Sequence, residues 1–464
     1  MKRGSQSSPI RRRELCERKK RNIMKKEEIL KLVREYAKEN LSNFATSKYK
    51  DGDRIPYSAK VFSEDEVVNL VDSALEFWLT QGHYYDEFED KLAKYLGVRF
   101  VSYVNSGSSA NLLAFEALTS PLLKDRRIKK GDEVITVACG FPTTIAPVIQ
   151  FGAVPVFLDM DIPTYNIKVE DLEKAKSDKT KAIFLAHTLG NAFDIVKVKE
   201  FCDKYNLWLI EDNCDALGTE VKIDGKYKKT GTIGDIGTSS FYPPHHMTTG
   251  EGGAVYTDDP LLHKIILSLR DWGRDCICKS GVDNTCNHRY DGVYGELPKG
   301  YDHKYVYSHF GYNLKATDLQ AAIGVTQLDK LESFVEKRRK NFDILYKLLE
   351  DAGMEEYFIL PKATPDTKPS WFAFILTVKD GIDREKVVRY IESKNVQTRM
   401  LFAGNIIKQP CFDDMRNDSS KYRVIGNLKN TDKIMNNTFL VGVYPGLDED
   451  RIKYMAKVII EAVS

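Results

Sequence analysis

Four cysteines stand apart from the rest of the chain: Cys214, then Cys276 and Cys278, then Cys286, with 61, one and seven residues between successive members. Four thiolates are the donor set of a [2Fe–2S] cluster or of a structural zinc. The C-x-x-C knuckles of ordinary zinc sites are missing, and a third reading leaves the thiols incidental. Two residues before Cys214, Asp212 closes the apolar run Leu207-Trp208-Leu209-Ile210-Glu211. A carboxylate at the carboxyl end of such a strand lies where α/β sheets bind ligands, although an Asp there can also cap the next helix. Asn105-Ser106-Gly107-Ser108-Ser109-Ala110 ends one apolar run and opens a helix. The N–H groups of a helix N-terminus hold a phosphate without a basic side chain. Further on, His245 and His246 follow Ser240-Phe241-Tyr242-Pro243-Pro244 and precede Gly250-Glu251-Gly252-Gly253. An imidazole moves protons near neutral pH.

Elements able to position these groups are legible in the periodicity. From residue 98 onward short apolar runs alternate with helical stretches, the pattern of an α/β fold with a largely parallel sheet. Buried strands are expected at Phe100–Val104, Glu133–Val137, Val154–Leu158, Ala182–Ala186, Leu207–Glu211 and Ala254–Thr257. Two helices over 64–96 draw their apolar faces from Leu75, Phe77 and Trp78, and from Phe88, Leu92, Tyr95 and Leu96. A long helix covers roughly 315–350. Trp371–Val378 and helices near 384–394 and 449–462 suggest a smaller α+β unit.

The chain has 464 residues, 42% hydrophobic and 29% charged, as expected of a globular enzyme with two or three domains. No run reaches the ~18–20 apolar residues of a membrane span, and no secretory leader opens the chain, so a cytoplasmic protein is expected. Charge is uneven: residues 1–26 carry eleven Lys or Arg against two Glu, a balance of +9, which leaves −7 for the rest. Residues 1–23 are therefore expected to be a disordered basic extension without nucleic-acid or membrane function, with Met24 opening the folded protein. Large (24–330) and small (331–464) domains follow it. Cys16, Cys139, Cys202 and Cys411 read as ordinary thiols.

From about residue 55 to the C-terminus the chain resembles the pyridoxal-phosphate (PLP) sugar aminotransferases and dehydratases of fold type I. The resemblance implies an aspartate-aminotransferase-like fold: a mixed, mainly parallel seven-stranded sheet and a smaller α+β C-terminal domain. It assigns Gly107, Ser108 and Ser240 to the cofactor phosphate, Phe141 to the pyridine face and Asp212 to the pyridinium nitrogen. His187 with Gly190-Asn191 matches a turn that shapes the site, and Asn313 a residue donated across a homodimer interface to a shared active site. Arg399 and Asn405 resemble substrate contacts. Two positions depart from the transaminase pattern: Asp215 stands where Gln is usual, and His245 stands where the lysine is.

A lysine amine forms an imine with PLP, which an imidazole cannot do stably. Histidine there is similar to the dehydratase branch of the family, which uses pyridoxamine phosphate (PMP) and makes deoxy sugars. The cysteine spacing is close to that of the iron–sulfur 3-dehydrases, with a longer first interval. Those act on CDP-4-keto-6-deoxyglucose in O-antigen synthesis and receive electrons from an NADH-dependent flavin/iron–sulfur reductase. The implied cluster ligands are Cys214, Cys276, Cys278 and Cys286. A cluster-free, glutamate-dependent dehydratase of GDP-4-keto-6-deoxymannose is the alternative, and a non-catalytic relative that lost its lysine is the third.

Overall fold

The computed structural model describes residues 24–41, 47–279, 281–285 and 287–463. The basic tract at 1–23 and Cys286 lie outside the described residues. In chain order the strands are β1 (Phe100–Val104), β2 (Glu133–Val137), β3 (Val154–Leu158), β4 (Thr180–Ala186), β5 (Trp208–Asp212), β6 (Glu220–Ile223), β7 (Lys226–Lys229), β8 (Ile236–Ser240), β9 (Gly253–Thr257), β10 (Phe358–Ile359), β11 (Thr367–Lys368), β12 (Ala373–Val378), β13 (Arg423–Val424) and β14 (Thr438–Gly442).

The main sheet runs β1-β9-β8-β5-β4-β2-β3-β13. β9 is antiparallel to both neighbours, while β8, β5, β4, β2, β3 and β13 pair in parallel. The expected seven strands are therefore present, and an eighth is added from the C-terminal region. Two residues of β13 pair with Val156 and Phe157 of β3, and Arg423 reaches the Glu133 carboxylate. β2, β5, β8 and β9 are buried along their whole length, because helices cover both faces of the sheet.

Helices Glu64–Glu76 and His83–Leu96 occupy the expected stretch, but Leu75, Phe77 and Trp78 are exposed rather than core. Phe77 ends its helix in the left-handed conformation (φ 57°), and the Trp78 indole N–H donates to the Gln81 carbonyl. The second helix does bury Phe88, Leu92 and Leu96.

Helix Asp318–Asp351 links the two cores. Thr317 and Gln320 form its capping box. Its first half packs Ala321, Val325 and Leu328 with Phe88 and Leu92. Farther along, Phe342, Leu345 and Leu349 pack with the antiparallel sheet β10-β12-β14 and with Ile452 and Met455 of helix Glu449–Glu461. A domain boundary at 330/331 would thus cut one helix, and Ile55 from the N-terminal side also joins the second core.

The two cores meet tightly at the turn after β4. Gly190 (φ +93°) leaves no room for a Cβ, which would lie 2.0 Å from the Ser370 carbonyl oxygen. Thr219 bridges the same joint, accepting from the Ser370 amide and donating to the Gly190 carbonyl. Gly190→Ala combines left-handed strain with a backbone clash and should destabilise the protein by about 3 kcal/mol. Denaturant unfolding checks this; a loss under about 1 kcal/mol would show that the joint relaxes freely.

Candidate active site

β5 is central in the sheet, and its last two residues point opposite ways. Glu211 is fully enclosed and accepts the amides of Gly231 (2.7 Å), Ile233 (2.7 Å) and Gly234 (2.5 Å), with His187 Nε2 at 2.9 Å. Burial alone would raise its carboxyl, but His187 and these amides outweigh burial and hold it below the usual range. His187 stacks on Phe193 beneath the site and lies outside the cavity lining.

Asp212 faces the other way, into a cavity of about 690 Å³. Its Oδ2 accepts from Asn111 Nδ2 (2.8 Å) and Thr144 Oγ1 (2.7 Å), and its Oδ1 from the Cys214 amide (3.1 Å). The Asn111 amide is oriented in turn by Thr238, whose hydroxyl donates to Asn111 Oδ1 at 2.7 Å. Asp212 is 4% exposed, and no ion pair among the described residues neutralises it. A buried anion with hydrogen bonds and no counter-charge suits a cationic ligand atom, such as a protonated ring nitrogen.

Across the cavity, helix Gly107–Ala117 presents its first turn, capped by Ser106. A Cβ on Gly107 would lie 2.4 Å from Ser240 Cβ and 3.1 Å from Cys214 Sγ, so glycine is required there. Ser108 is exposed to the cavity and Ser240 lines it. Phe141 is half exposed on its wall and meets Phe402 edge-on at 6.2 Å. Helix N–H groups, two hydroxyls, an aromatic face and the Asp212 carboxylate thus converge on one space, and they fit a pyridoxal-type cofactor.

The His-His pair splits. His245 lines the cavity, with Nδ1 3.2 Å from Asp215 Oδ1 and its ring 5.6 Å from Phe372. His246 turns into the protein, where Nε2 donates to the Ser370 carbonyl at 2.7 Å. Burial, reinforced by Arg338, pushes its pKa far down, so His246 stays neutral. No lysine lines the cavity among the described residues. Arg399 lines the outer wall, its guanidinium 4.6 Å from the Tyr57 ring centroid.

Other expected site residues are not brought here. Asn405 is buried and caps the turn Ile406–Lys408, donating to Asp432 and staying out of the cavity lining. Its neighbours Ala403 and Ile406 do line the cavity. Asn313 is exposed, accepts from Lys315 Nζ at 3.1 Å, and does not line its own chain's cavity.

The cysteines separate too. Cys214 lies in the cavity, where burial and then Asp212 push its thiol well above the ordinary range. Cys276 and Cys278 share a different, small pocket with Arg289, His303 and Lys304. Partial burial works against ionisation of Cys278, yet hydrogen bonds from Thr285, Cys276 and Asn284 hold its thiol below the ordinary value. No three cysteines among the described residues come together as a ligand group. The three described thiols of the set are thus not gathered at one point, and the fourth, Cys286, lies outside the described residues.

Asn111 and Thr144 were not anticipated from the sequence. The signal for Asn111 is a polar side chain on an otherwise apolar helix face beside Ala110, Leu113 and Ala114.

Comparison with known proteins agrees with this geometry. Residues 62–460 match the DegT/DnrJ/EryC1/StrS aminotransferase family, and the chain belongs to it. It is 52% identical to the lipopolysaccharide biosynthesis protein RfbH of Salmonella typhimurium, over 93% of this chain and 96% of that one. It is 46% identical to the dTDP-4-dehydro-2,6-dideoxy-D-glucose 3-dehydratase of Saccharopolyspora spinosa, over 95% and 92%. Among solved structures, Escherichia coli GDP-4-keto-6-deoxy-D-mannose-3-dehydratase with bound hydrated PLP superposes with a TM-score of 0.76 at 30% identity, covering 87% of this chain and 99% of that one. The protein is accordingly an enzyme of the PLP-dependent sugar aminotransferase and 3-dehydratase family.

Gly107→Ala should weaken PMP binding about tenfold or more, since the added methyl forces Ser240 from the helix N-terminus at roughly 1–3 kcal/mol. An absorbance titration with PMP checks this, and an unchanged Kd would detach Gly107 from the phosphate site.

Proposed function

We propose that this protein is a PMP-dependent C3-dehydratase of a nucleotide-linked 4-keto-6-deoxyhexose. The observation that carries the reading is a cavity with the cofactor-holding groups in place, His245 at its wall and no lysine in its lining. When bound, PMP supplies an amine that condenses with the sugar ketone and a ring that accepts charge when its methylene carbon loses a proton.

The chain's own groups do the rest. Asp212 keeps the ring nitrogen cationic, held rigid by Asn111, Thr144 and the Cys214 amide. Asp215 Oδ1 lies 3.2 Å from Nδ1 of His245, so its negative charge favours the imidazolium formed when the ring takes the methylene proton. The same imidazolium returns a proton to the departing C3 hydroxyl, which leaves as water. Phe372 and Phe402 give the cavity an apolar wall, and Arg399 on Tyr57 suits the sugar nucleotide's diphosphate. Asn313, outside its own chain's cavity, is available to a second subunit's cofactor in a homodimer.

A finer reading makes the sugar CDP-linked and adds a [2Fe–2S] cluster fed by an NADH-dependent reductase. Its support is the adjacent Cys276 and Cys278, the latter with a thiol held below its ordinary value. Against it stands the separation of Cys214 from that pair, so no step here runs through a cluster. The alternative is a cluster-free, glutamate-dependent enzyme acting on a GDP-sugar. Iron and acid-labile sulfide assays after anaerobic purification decide: about two of each per chain selects the CDP-linked reading, and none selects the other.

His245→Gln should bind PMP normally while dehydrating about 100- to 10,000-fold more slowly. His245→Lys should gain a borohydride-reducible imine with PLP and lose dehydration. Undiminished dehydration in either variant would remove His245 from proton transfer.

A further inference from the structure

Arg338 is 1% exposed in the middle of helix Asp318–Asp351 and pairs with no carboxylate among the described residues. Burial outweighs the longer-range attraction of Asp215, which makes no ion pair with it, so the hydrogen bonds of this guanidinium carry meaning. Nη2 donates to the carbonyls of Pro244 (3.3 Å) and His245 (2.9 Å). Nη1 donates to those of Trp371 (3.3 Å) and Phe372 (3.1 Å). One planar group thus ties the His245 loop to the chain entering β12.

The two ends of this tie differ in their other support. The crossover at 368–372 has independent anchors, since Arg339 donates to the Lys368 and Pro369 carbonyls and Thr219 accepts the Ser370 amide, while His246 Nε2, donating to the Ser370 carbonyl, is a second tie between loop and crossover one residue past His245. The loop at Pro244 and His245 lies outside any helix or strand, and its other backbone bond is local, from the His245 amide to Tyr242. Among the described residues, Arg338 alone donates to the Pro244 and His245 carbonyls. The partner it ties them to also supplies Phe372, whose ring lies 5.6 Å from the His245 imidazole.

We propose that Arg338 is a positioning residue for the proton-transfer step, holding the His245 main chain against the start of β12 so that the imidazole keeps its place between Asp215 and Phe372. This rests on His245 carrying the proton, as read above. Placement of a general base within a fraction of an ångström governs its rate, and a shift of about 1 Å can cost about 100-fold. A lysine keeps the charge but cannot fork across both carbonyl pairs.

The test compares wild type with Arg338→Lys by hydrogen–deuterium exchange and steady-state kinetics. Expected are exchange at 242–248 at least tenfold faster, exchange in the rest of the long helix within twofold, and kcat at least tenfold lower with KM for the sugar nucleotide within threefold. Unchanged exchange at 242–248, or exchange raised everywhere, would overturn the proposal, as would an unchanged kcat. If wild type itself fails to dehydrate the sugar, the proposed function falls, and the exchange pattern still decides the role of Arg338. Should Arg338→Lys not fold, a crystal structure of the wild-type holoenzyme decides: bonds from Arg338 to the carbonyls at 244 and 245 sustain the proposal, and their absence ends it.

Discussion

The site is organised around one buried charge. Asp212 sits at the carboxyl end of a strand with parallel neighbours on both sides, where a carboxylate meets helix starts and not bulk water. Asn111, Thr144 and the Cys214 amide satisfy its oxygens without neutralising it. Thr238 on β8 fixes Asn111, so the adjacent strand, the phosphate-side helix and the Phe141 segment all converge on the same anion. Removing any one donor would leave a buried charge under-satisfied, which is far costlier than losing an exposed hydrogen bond. The surrounding architecture follows from the need to hold that carboxylate, and its ligand, in one place.

Much of the scaffold was legible because parallel strands buried on both faces read as short apolar runs. β1, β2 and β3 fall on the expected residues, and β4, β5 and β9 within two of them. β8 was missed because Ile236-Gly237-Thr238-Ser239-Ser240 has one bulky apolar residue. Its hydroxyls are buried only because Asn111 and Tyr256 receive them, a tertiary fact invisible to periodicity. β13 was missed because two polar-flanked residues pairing at an edge leave no pattern. Leu75, Phe77 and Trp78 misled in the opposite sense, being apolar and exposed.

The chemistry was legible where function needs an unusual residue type. Gly107, Ser108, Phe141, Asp212, Cys214, Asp215, Ser240, His245 and Arg399 all line one cavity. Of the spaced thiols, Cys214 follows β5, while Cys276 and Cys278 lie on a long excursion after helix Pro260–Arg270 whose course leaves no periodic pattern. Asn405 caps a turn beside the cavity, a local role that its sequence context does not signal. Arg338 could not be read at all, because an arginine in a long helix looks solvated until the fold buries it.

The central claim is that catalysis here proceeds on a cofactor amine and never through a protein-bound imine. Intact-protein mass spectrometry after incubation with PLP and borohydride tests it directly. The account predicts an unmodified chain mass, with reduced cofactor released on denaturation. A stoichiometric covalent adduct, mapped by peptide analysis to any lysine near the cavity, would contradict it and return the protein to the transaminases.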